Sequence, residues 1–184
     1  MNNPSARTIP FGDMHAPVLE RPWRRTAKIL PYRKTYVLKP GQHWADAPTT
    51  DRQSEHYAVD ASGPIPVGAL VARDLMEEGA SVAYFTECYG GGCCVFMSPN
   101  LICVEPDDNF GAILAALRKA NGDRWAGLPD AIAYFPDGRV AMRDAKVAKK
   151  DRLSSTQHSF ARAARTVLGD KLDLAVVEWG VETA

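Results

Sequence analysis

Asp144 and Lys146 have the types and spacing that metal-assisted hydrolysis needs. They lie in residues 139–147, a segment predicted to be a β-strand that returns from a hairpin turn. Because side chains alternate between the two faces of a strand, this carboxylate and this ammonium group stand side by side, on the face that also carries Val140 and Met142. A charged pair at the end of an apolar face is expected to meet a partner or a bound ion, since a lone buried charge is costly.

Asp130 is predicted to face the same volume. It precedes a second strand, residues 131–135, and Pro136-Asp137-Gly138 forms the hairpin turn between the two strands. Antiparallel pairing then brings Asp130 near Asp144, and two carboxylates at one point repel each other unless a cation lies between them. Mg²⁺ prefers oxygen ligands of this kind and keeps several waters.

Two neighbouring groups complete the predicted chemistry. The backbone carbonyl of Ala145 offers another oxygen to a metal ion, and Lys146 is placed to orient an attacking water and to stabilise negative charge on a phosphate. This arrangement suits hydrolysis of a phosphodiester bond. In the alternative interpretation, Asp144 and Lys146 form only a salt bridge, which contributes under about 1 kcal/mol when exposed, and Asp130 simply follows a proline in a turn.

These residues resemble the PD-(D/E)xK nuclease superfamily. Leu128-Pro129-Asp130 matches its first element, and Asp144-Ala145-Lys146 matches its second. The opening Gly127-Leu128-Pro129-Asp130 and the downstream Gln157 further resemble the virus-type replication-repair nuclease (VRR-NUC) branch. The resemblance covers residues 125–180, under a third of the chain.

The resemblance implies a restriction-endonuclease-like fold and a nuclease that uses Mg²⁺ or Mn²⁺. It assigns metal binding to Asp130, Asp144 and the carbonyl of Ala145. It assigns a catalytic role to Lys146 and a supporting role to Gln157. The segment 154–157 also fits a capping box, in which the glutamine side chain accepts a hydrogen bond from the first backbone amide of a helix. The two roles of Gln157 are compatible.

The resemblance leaves one ligand open. Nucleases of this superfamily often carry another acidic residue before the core hairpin. The sequence does not select one from the seven that it offers: Asp74, Glu77, Glu78, Glu87, Glu105, Asp107 and Asp108.

Hydrophobic periodicity predicts the elements that must position these residues. Helices are expected between residues 67 and 79, after Asp107 or Asp108, and between residues 153 and 168. The expected strands cover residues 81–86, 93–97, 101–105, 131–135, 139–147 and 172–179. This order predicts an α/β or α+β domain with a mixed β-sheet core flanked by helices.

The chain divides by composition into two parts. Residues 1–65 are expected to be a basic, proline-rich arm that is mostly loop, with a short edge strand at residues 35–39, because closely spaced prolines interrupt helices and central strands. Residues 66–184 are expected to form the nuclease-like domain, with an inserted segment at about residues 89–121.

Charge is uneven although the formal net charge is zero. Residues 1–45 hold eight Lys or Arg residues against two acidic ones. The arm could therefore bind nucleic acid, or it could be ordinary solvated surface. The same two interpretations apply to the predicted nucleic-acid-binding residues Lys149, Lys150 and Arg152, which follow the lysine strand.

The four cysteines lack the spacing of zinc ligands. They are expected to be reduced thiols in buried strands, or to form a disulfide between strands if the protein works outside the cytosol.

No apolar run is long enough to span a membrane, and the N-terminus lacks the hydrophobic core of a secretion signal. We expect action in the cytoplasm, with export by a signal-less route left open.

DNA is the expected partner, RNA less so. A repair or phage nuclease and an antibacterial toxin held by an immunity protein are both compatible with the pattern. The resemblance also makes a homodimer an expected assembly. The rival interpretation is a non-catalytic module that binds nucleic acid or protein on the same fold.

Overall fold

The computed structural model describes residues 7–26, 30–54, 56–89 and 92–180. The strands and α-helices of these residues are, in chain order, β1 (Thr8–Phe11), β2 (Met14–Glu20), β3 (Arg24–Arg25), β4 (Leu30–Arg33), β5 (Thr49–Ser54), β6 (Tyr57–Asp60), β7 (Gly63–Pro66), α1 (Val67–Glu77), β8 (Val82–Tyr89), β9 (Cys93–Met97), β10 (Cys103–Val104), α2 (Asp108–Ala120), β11 (Ala131–Tyr134), β12 (Val140–Val147), α3 (Ser155–Leu168) and β13 (Leu172–Trp179).

A mixed sheet of eight strands, in the order β1-β2-β13-β12-β11-β8-β9-β10, forms the centre of the fold. β13 pairs in parallel with β12 on one side and with β2 on the other, and the remaining pairs are antiparallel. The connection from β12 to β13 contains α3, as a parallel pair requires. The predicted mixed-sheet α+β class is therefore confirmed.

The two faces of the sheet bury two different cores. On one face α1 packs through Leu70 and Leu75 against small residues of β8, β11 and β12. On the other face α2 and α3 pack through Phe110 and Phe160 against the alternate residues of the same strands. β12 is buried along both faces, which is typical of a central strand. Any charged side chain of β12 therefore has to find its partner inside the protein.

The arm that was predicted to be mostly loop is instead built from strands. β1 to β7 all lie within residues 8–66, and β2 joins the main sheet beside β13. A further prediction, the edge strand at residues 35–39, is also wrong, since Thr35–Val37 is a 3₁₀ helix. The first error comes from the prolines, whose effect on strands depends on where in a sheet they lie.

The strand prolines lie where a missing backbone N–H is tolerated. Pro10 lies in the edge strand β1, and Pro17 comes just before the residues of β2 that pair with β13. Pro31 lies at the irregular part of the β4–β5 pairing. Pro64 and Pro66 lie in β7, an edge strand of the small β3-β6-β7 sheet. Proline density therefore marks edges and bulges here.

Among the described residues, no helix combines the length and the apolar character needed to cross a membrane.

The hairpin of β1 and β2 gives a direct test of whether the N-terminal segment belongs to the core. Phe11 is fully buried beside α3, whereas Val37 is 49% exposed. We expect Phe11→Ala to lower the free energy of unfolding by about 3–5 kcal/mol, because it leaves a cavity. Val37→Ala should change it by less than about 0.5 kcal/mol. Urea denaturation measures both, and equal effects would show that the segment is not integral to the fold.

Candidate functional site

The hairpin of β11 and β12 brings the predicted residues together. Ala131 pairs with Arg143 and Tyr134 with Val140, so Asp130 comes level with Asp144. Asp130 accepts a hydrogen bond at Oδ2 from the backbone N–H of Ala145, at 2.7 Å. The side chain of Asp130 thus extends the hairpin pairing by one step beyond the strand and turns toward the (D/E)xK-like segment.

Asp144 is the centre of the site. Its side chain is fully buried, and its Oδ1 accepts a hydrogen bond from Gln157 Nε2 at 2.7 Å. Its Oδ2 lies 2.7 Å from the ammonium nitrogen of Lys146 and forms an ion pair with it. The side chain of Lys146 is 14% exposed. The ion pair is therefore a largely desolvated one and differs from the exposed salt bridge of the alternative interpretation.

The electrostatics of the site leave negative charge that Lys146 alone does not balance. The pKa of Asp144 is raised to about 8, first by burial and then by the negative charge of Asp130, although Lys146 opposes the shift. Burial lowers the pKa of Lys146, but the carboxylates of Asp144 and Asp130 outweigh it, and the pKa is raised. Two carboxylates thus face one ammonium group, and the negative charge is balanced by retaining a proton or by gaining a cation.

These residues fit a hard divalent cation. Asp144 supplies a buried carboxylate whose Oδ2 already faces the Lys146 cation, and Asp130 adds a second carboxylate. Within the ranges that the structure describes, no three His, Cys, Asp or Glu side chains converge as metal ligands do. Mg²⁺ is commonly held by one or two carboxylates and keeps several waters, so two carboxylates and the carbonyl oxygen of Ala145 are a sufficient set.

Gln157 forms the predicted capping box and also contacts Asp144. Its backbone N–H donates to Ser154 Oγ at 3.2 Å, and its Oε1 accepts from the backbone N–H of Ser154 at 2.8 Å, which is a capping box. Because Oε1 faces a donor, Nε2 is the atom left to donate to Asp144. The start of α3 therefore fixes a side chain that in turn fixes the buried carboxylate.

Gly127 lets the Asp130 loop pack onto α3. Its φ is +86°, and a Cβ there would lie 2.1 Å from the carbonyl oxygen of Thr156 and 2.8 Å from the backbone nitrogen of Gln157. On the other side of the loop, Thr86 Oγ1 donates to the carbonyl oxygen of Pro129 at 2.6 Å. The first glycine of the Gly-x-Pro-Asp segment is thus required by contact with the helix that carries Gln157.

Glu87 stands out among the upstream acids. It is half-buried on β8, and its Oε2 accepts hydrogen bonds from Tyr89 at 2.8 Å and from Thr35 at 3.2 Å. Burial raises its pKa, the two hydrogen bonds oppose the shift, and the charge of Asp130 adds to it. Glu87 therefore lies close enough to Asp130 for the charge of Asp130 to affect it.

Three of the other upstream candidates are engaged elsewhere. Asp74 pairs with Arg21 at 2.5 Å, Glu78 lies 3.7 Å from Arg143, and Asp107 caps α2. The sequence did not distinguish Glu87 because the distinction depends on strand register: Phe85 pairs with Ala131, which brings the end of β8 beside the Asp130 loop. It also depends on Thr35, which is distant in the chain.

The predicted nucleic-acid-binding residues lie in the loop between β12 and α3. Lys149, Lys150 and Arg152 are all exposed. Lys150 and Asp151 line a pocket of about 230 Å³. The remaining lining comes from the N-terminal segment and from β12: Tyr32, Arg52, Gln53, Ser54, His56 and Val147.

Asp151 connects this pocket to the site. Its Oδ2 accepts from the backbone N–H of Val147 at 3.0 Å, and its charge contributes to the raised pKa of Lys146. The pocket also contains a cation stacked on an aromatic ring, since the guanidinium carbon of Arg52 lies 5.2 Å from the ring centroid of Tyr32. Tyr32, Arg52 and His56 were not predicted to lie near the site, because no local pattern in the sequence indicates their position in this pocket.

Comparison of the chain with protein-family models, with curated proteins and with solved structures found no match.

The contact between Gly127 and α3 can be tested with a matched pair of substitutions. Gly122 has a similar φ of +71° but open space around its Cβ position. Both Gly127→Ala and Gly122→Ala impose backbone strain of order 1 kcal/mol, while only Gly127→Ala also collides with α3. We expect a larger drop in melting temperature for Gly127→Ala, together with faster amide hydrogen exchange at Thr156 and Gln157. Equal behaviour of the two variants would contradict this account.

Proposed function

We propose that this protein is a metal-dependent nuclease of the PD-(D/E)xK type, with a VRR-NUC-like site and a restriction-endonuclease-like fold. The observation that carries the proposal is the buried carboxylate of Asp144, held between Gln157 and Lys146 and opposed by Asp130. A purely structural ion pair would not need a second carboxylate beside it, because the added repulsion destabilises the folded protein. In a site that binds a divalent cation, the second carboxylate serves as another oxygen ligand.

Each residue has a distinct role in the proposed reaction. Asp130, Asp144 and the carbonyl of Ala145 would hold Mg²⁺ or Mn²⁺, and such an ion supplies Lewis-acid activation of water and of the phosphate. Lys146 holds a proton and a positive charge where the attacking water and the phosphate oxygen meet. Gln157 acts through Asp144, since its Nε2 keeps the carboxylate in one orientation.

The pocket beside the site supports a nucleic acid as the substrate. Lys150 and Arg52 present two cations, and Tyr32 presents an aromatic ring, within one pocket adjacent to Asp151. Positive groups that follow a phosphate backbone, with an aromatic ring for stacking, are the usual means of binding single-stranded nucleic acid. We favour DNA over RNA, and we infer that the N-terminal segment grips the strand next to the scissile bond.

A non-catalytic binding module is the second candidate. One observation favours it: Glu87, the upstream acid near Asp130, already accepts hydrogen bonds from Tyr89 and Thr35. On this alternative the protein binds nucleic acid or a protein partner without cutting. A rise in melting temperature on adding Mg²⁺ or Mn²⁺, lost in Asp144→Asn, would exclude it, since a ligand that binds only the folded state stabilises that state.

Toxicity on expression in a bacterium distinguishes the two proposed biological settings. A toxin that acts on DNA in the cytoplasm, reaches its target by a signal-less route and is held by an immunity protein should be toxic when expressed in a bacterium, and Lys146→Ala should relieve that toxicity. A repair or phage nuclease should be tolerated. Homodimerisation is part of the same proposal, and sedimentation of the purified protein tests it.

Catalysis is tested by the removal of Lys146. Wild type, Lys146→Ala and the control Lys171→Ala, which removes an exposed lysine, are incubated with linear, circular and single-stranded DNA in Mg²⁺, Mn²⁺ or EDTA. We expect metal-dependent cutting that falls at least about 100-fold in Lys146→Ala, with little change in Lys171→Ala. Cutting by Lys146→Ala at the wild-type rate, with both proteins folded, would refute the assigned role.

The nucleic-acid path is tested separately from cutting. In an Asp144→Asn background, Arg52→Ala with Lys150→Ala should weaken DNA binding and reduce the magnitude of the slope of log K against log salt by about 1.4–1.8, as expected when two phosphate contacts are lost. The control double variant Lys119→Ala with Lys171→Ala removes the same charge from other exposed positions. Fluorescence anisotropy across salt concentrations measures both. Equal slopes in the two double variants would show that the bound DNA does not contact Arg52 and Lys150.

A further inference from the structure

A two-stranded ribbon projects beside the candidate site. β11 pairs with β8 only as far as Phe85, whereas β8 pairs with β9 as far as Tyr89. Within the described part of the chain, residues 87–89 and 93–95 therefore pair only with each other. Side chains of the N-terminal segment contact the ribbon, since Thr35 donates to Glu87 and the ring of Tyr36 packs against Tyr89. The ribbon starts at Thr86, whose backbone N–H donates to the carbonyl oxygen of Asp130 at 2.9 Å.

Cys88 and Cys94 lie directly opposite each other in this ribbon. Their Sγ atoms are 2.7 Å apart, closer than two unbonded sulfur atoms normally approach. Directly opposed residues of an antiparallel pair have Cβ atoms about 4.5–5.5 Å apart, near the separation that a disulfide spans. Cys93 pairs with Tyr89 and, by alternation, points to the other face.

We propose that Cys88 and Cys94 form a reversible disulfide that staples the ribbon beside the candidate site. All four cysteines are free thiols in this structure, and Cys88 and Cys93 are exposed, contrary to the expectation of buried thiols. The arrangement therefore describes the reduced state of a pair that is already aligned for oxidation. This inference does not depend on the proposed nuclease function.

The chemistry requires an oxidant of the low-molecular-weight disulfide class, such as oxidised glutathione. The thiolate of exposed Cys88 attacks one sulfur of the oxidant, forms a mixed disulfide and releases one small thiol. The Cys94 thiol then loses its proton, attacks the sulfur of Cys88 and expels the second small thiol. Two protein thiols are oxidised to one disulfide, and one small disulfide is reduced to two thiols. Exposed Cys88 makes the first attack because burial raises the pKa of Cys94 and disfavours its free thiolate. The second step is intramolecular and is favoured by the closeness of the two sulfur atoms.

Closure of this bond should stiffen the ribbon. It joins β8 and β9 where, among the described residues, no third strand pairs with them, so it restricts opening of their hydrogen-bonded ladder. Thr86 connects the ribbon to the loop that carries Asp130, through Pro129 and Asp130 themselves. The redox state of the cysteines thus sets the rigidity of one wall of the candidate site.

Peptide mapping of the full-length protein tests the bond itself. The protein is incubated with oxidised glutathione, alkylated, digested and analysed by mass spectrometry. We expect one cross-linked peptide pair joining Cys88 to Cys94, with loss of two hydrogens and loss of alkylation at both. Alkylation or glutathione at both positions without a cross-link, or a cross-link from Cys88 to Cys93, would overturn the proposal. Reduction with dithiothreitol should restore both thiols.

Two variants and one further readout sharpen the test. Cys94→Ser should stop at the mixed disulfide and keep glutathione on Cys88, whereas Cys93→Ser, adjacent but on the opposite face, should form the cross-link as wild type does. Amide hydrogen exchange of residues 86–89 and 93–96 should be slower in the oxidised protein than in the reduced one. Unchanged exchange after complete cross-linking would refute the stapling effect.

Discussion

Burial of the Asp144 carboxylate in the middle of a sheet is the constraint on which the rest of the site depends. A carboxylate with no exposed surface is costly unless each oxygen meets a donor or a cation. Gln157 satisfies one oxygen and Lys146 lies against the other. The nearby carboxylate of Asp130 works against this balance and raises the pKa of Asp144. Repulsion kept inside an otherwise well-packed core is a feature of functional sites more than of structural ones.

The backbone around Asp144 explains how such an arrangement persists. Asp130 is fixed by the amide of Ala145, and its loop lies between Thr86 on β8 and the first turn of α3. Gly127 makes this close approach feasible, because any side chain there would collide with the helix. The same first turn holds Gln157 through its capping box. The candidate metal ligands and the residues that support them thus lie at one rigid junction, formed by the Asp130 loop, β12 and the first turn of α3. The positions of the carboxylates follow from ordinary backbone packing.

Much of this junction was predictable because it is local. Asp130, Asp144, Lys146 and Gln157 fall within one stretch of β-hairpin and helix, where period-two alternation, a turn signal and a capping box each act over a few residues. The mixed α+β class followed from the same patterns. The three α-helices and β13 lie where periodicity placed them.

The N-terminal segment was not predictable for the opposite reason. Its connection to the central sheet is made by β2, whose partner β13 is far away in the chain. Its prolines weaken the local strand signal while occupying edges and bulges that tolerate them. Thr35, which donates to Glu87, and Tyr32, which lines the pocket beside Asp151, come from this segment.

A segment that supplies a strand to the central sheet, a hydrogen bond to the upstream acid and a wall of the adjacent pocket is part of the site's construction. Of the cations of this segment, Arg52 lines that pocket and lies over the ring of Tyr32, whereas Arg7 and Arg21 pair with Glu178 and Asp74. A cation held in place by the fold contributes a phosphate contact without first losing the conformational freedom that a flexible basic arm would lose.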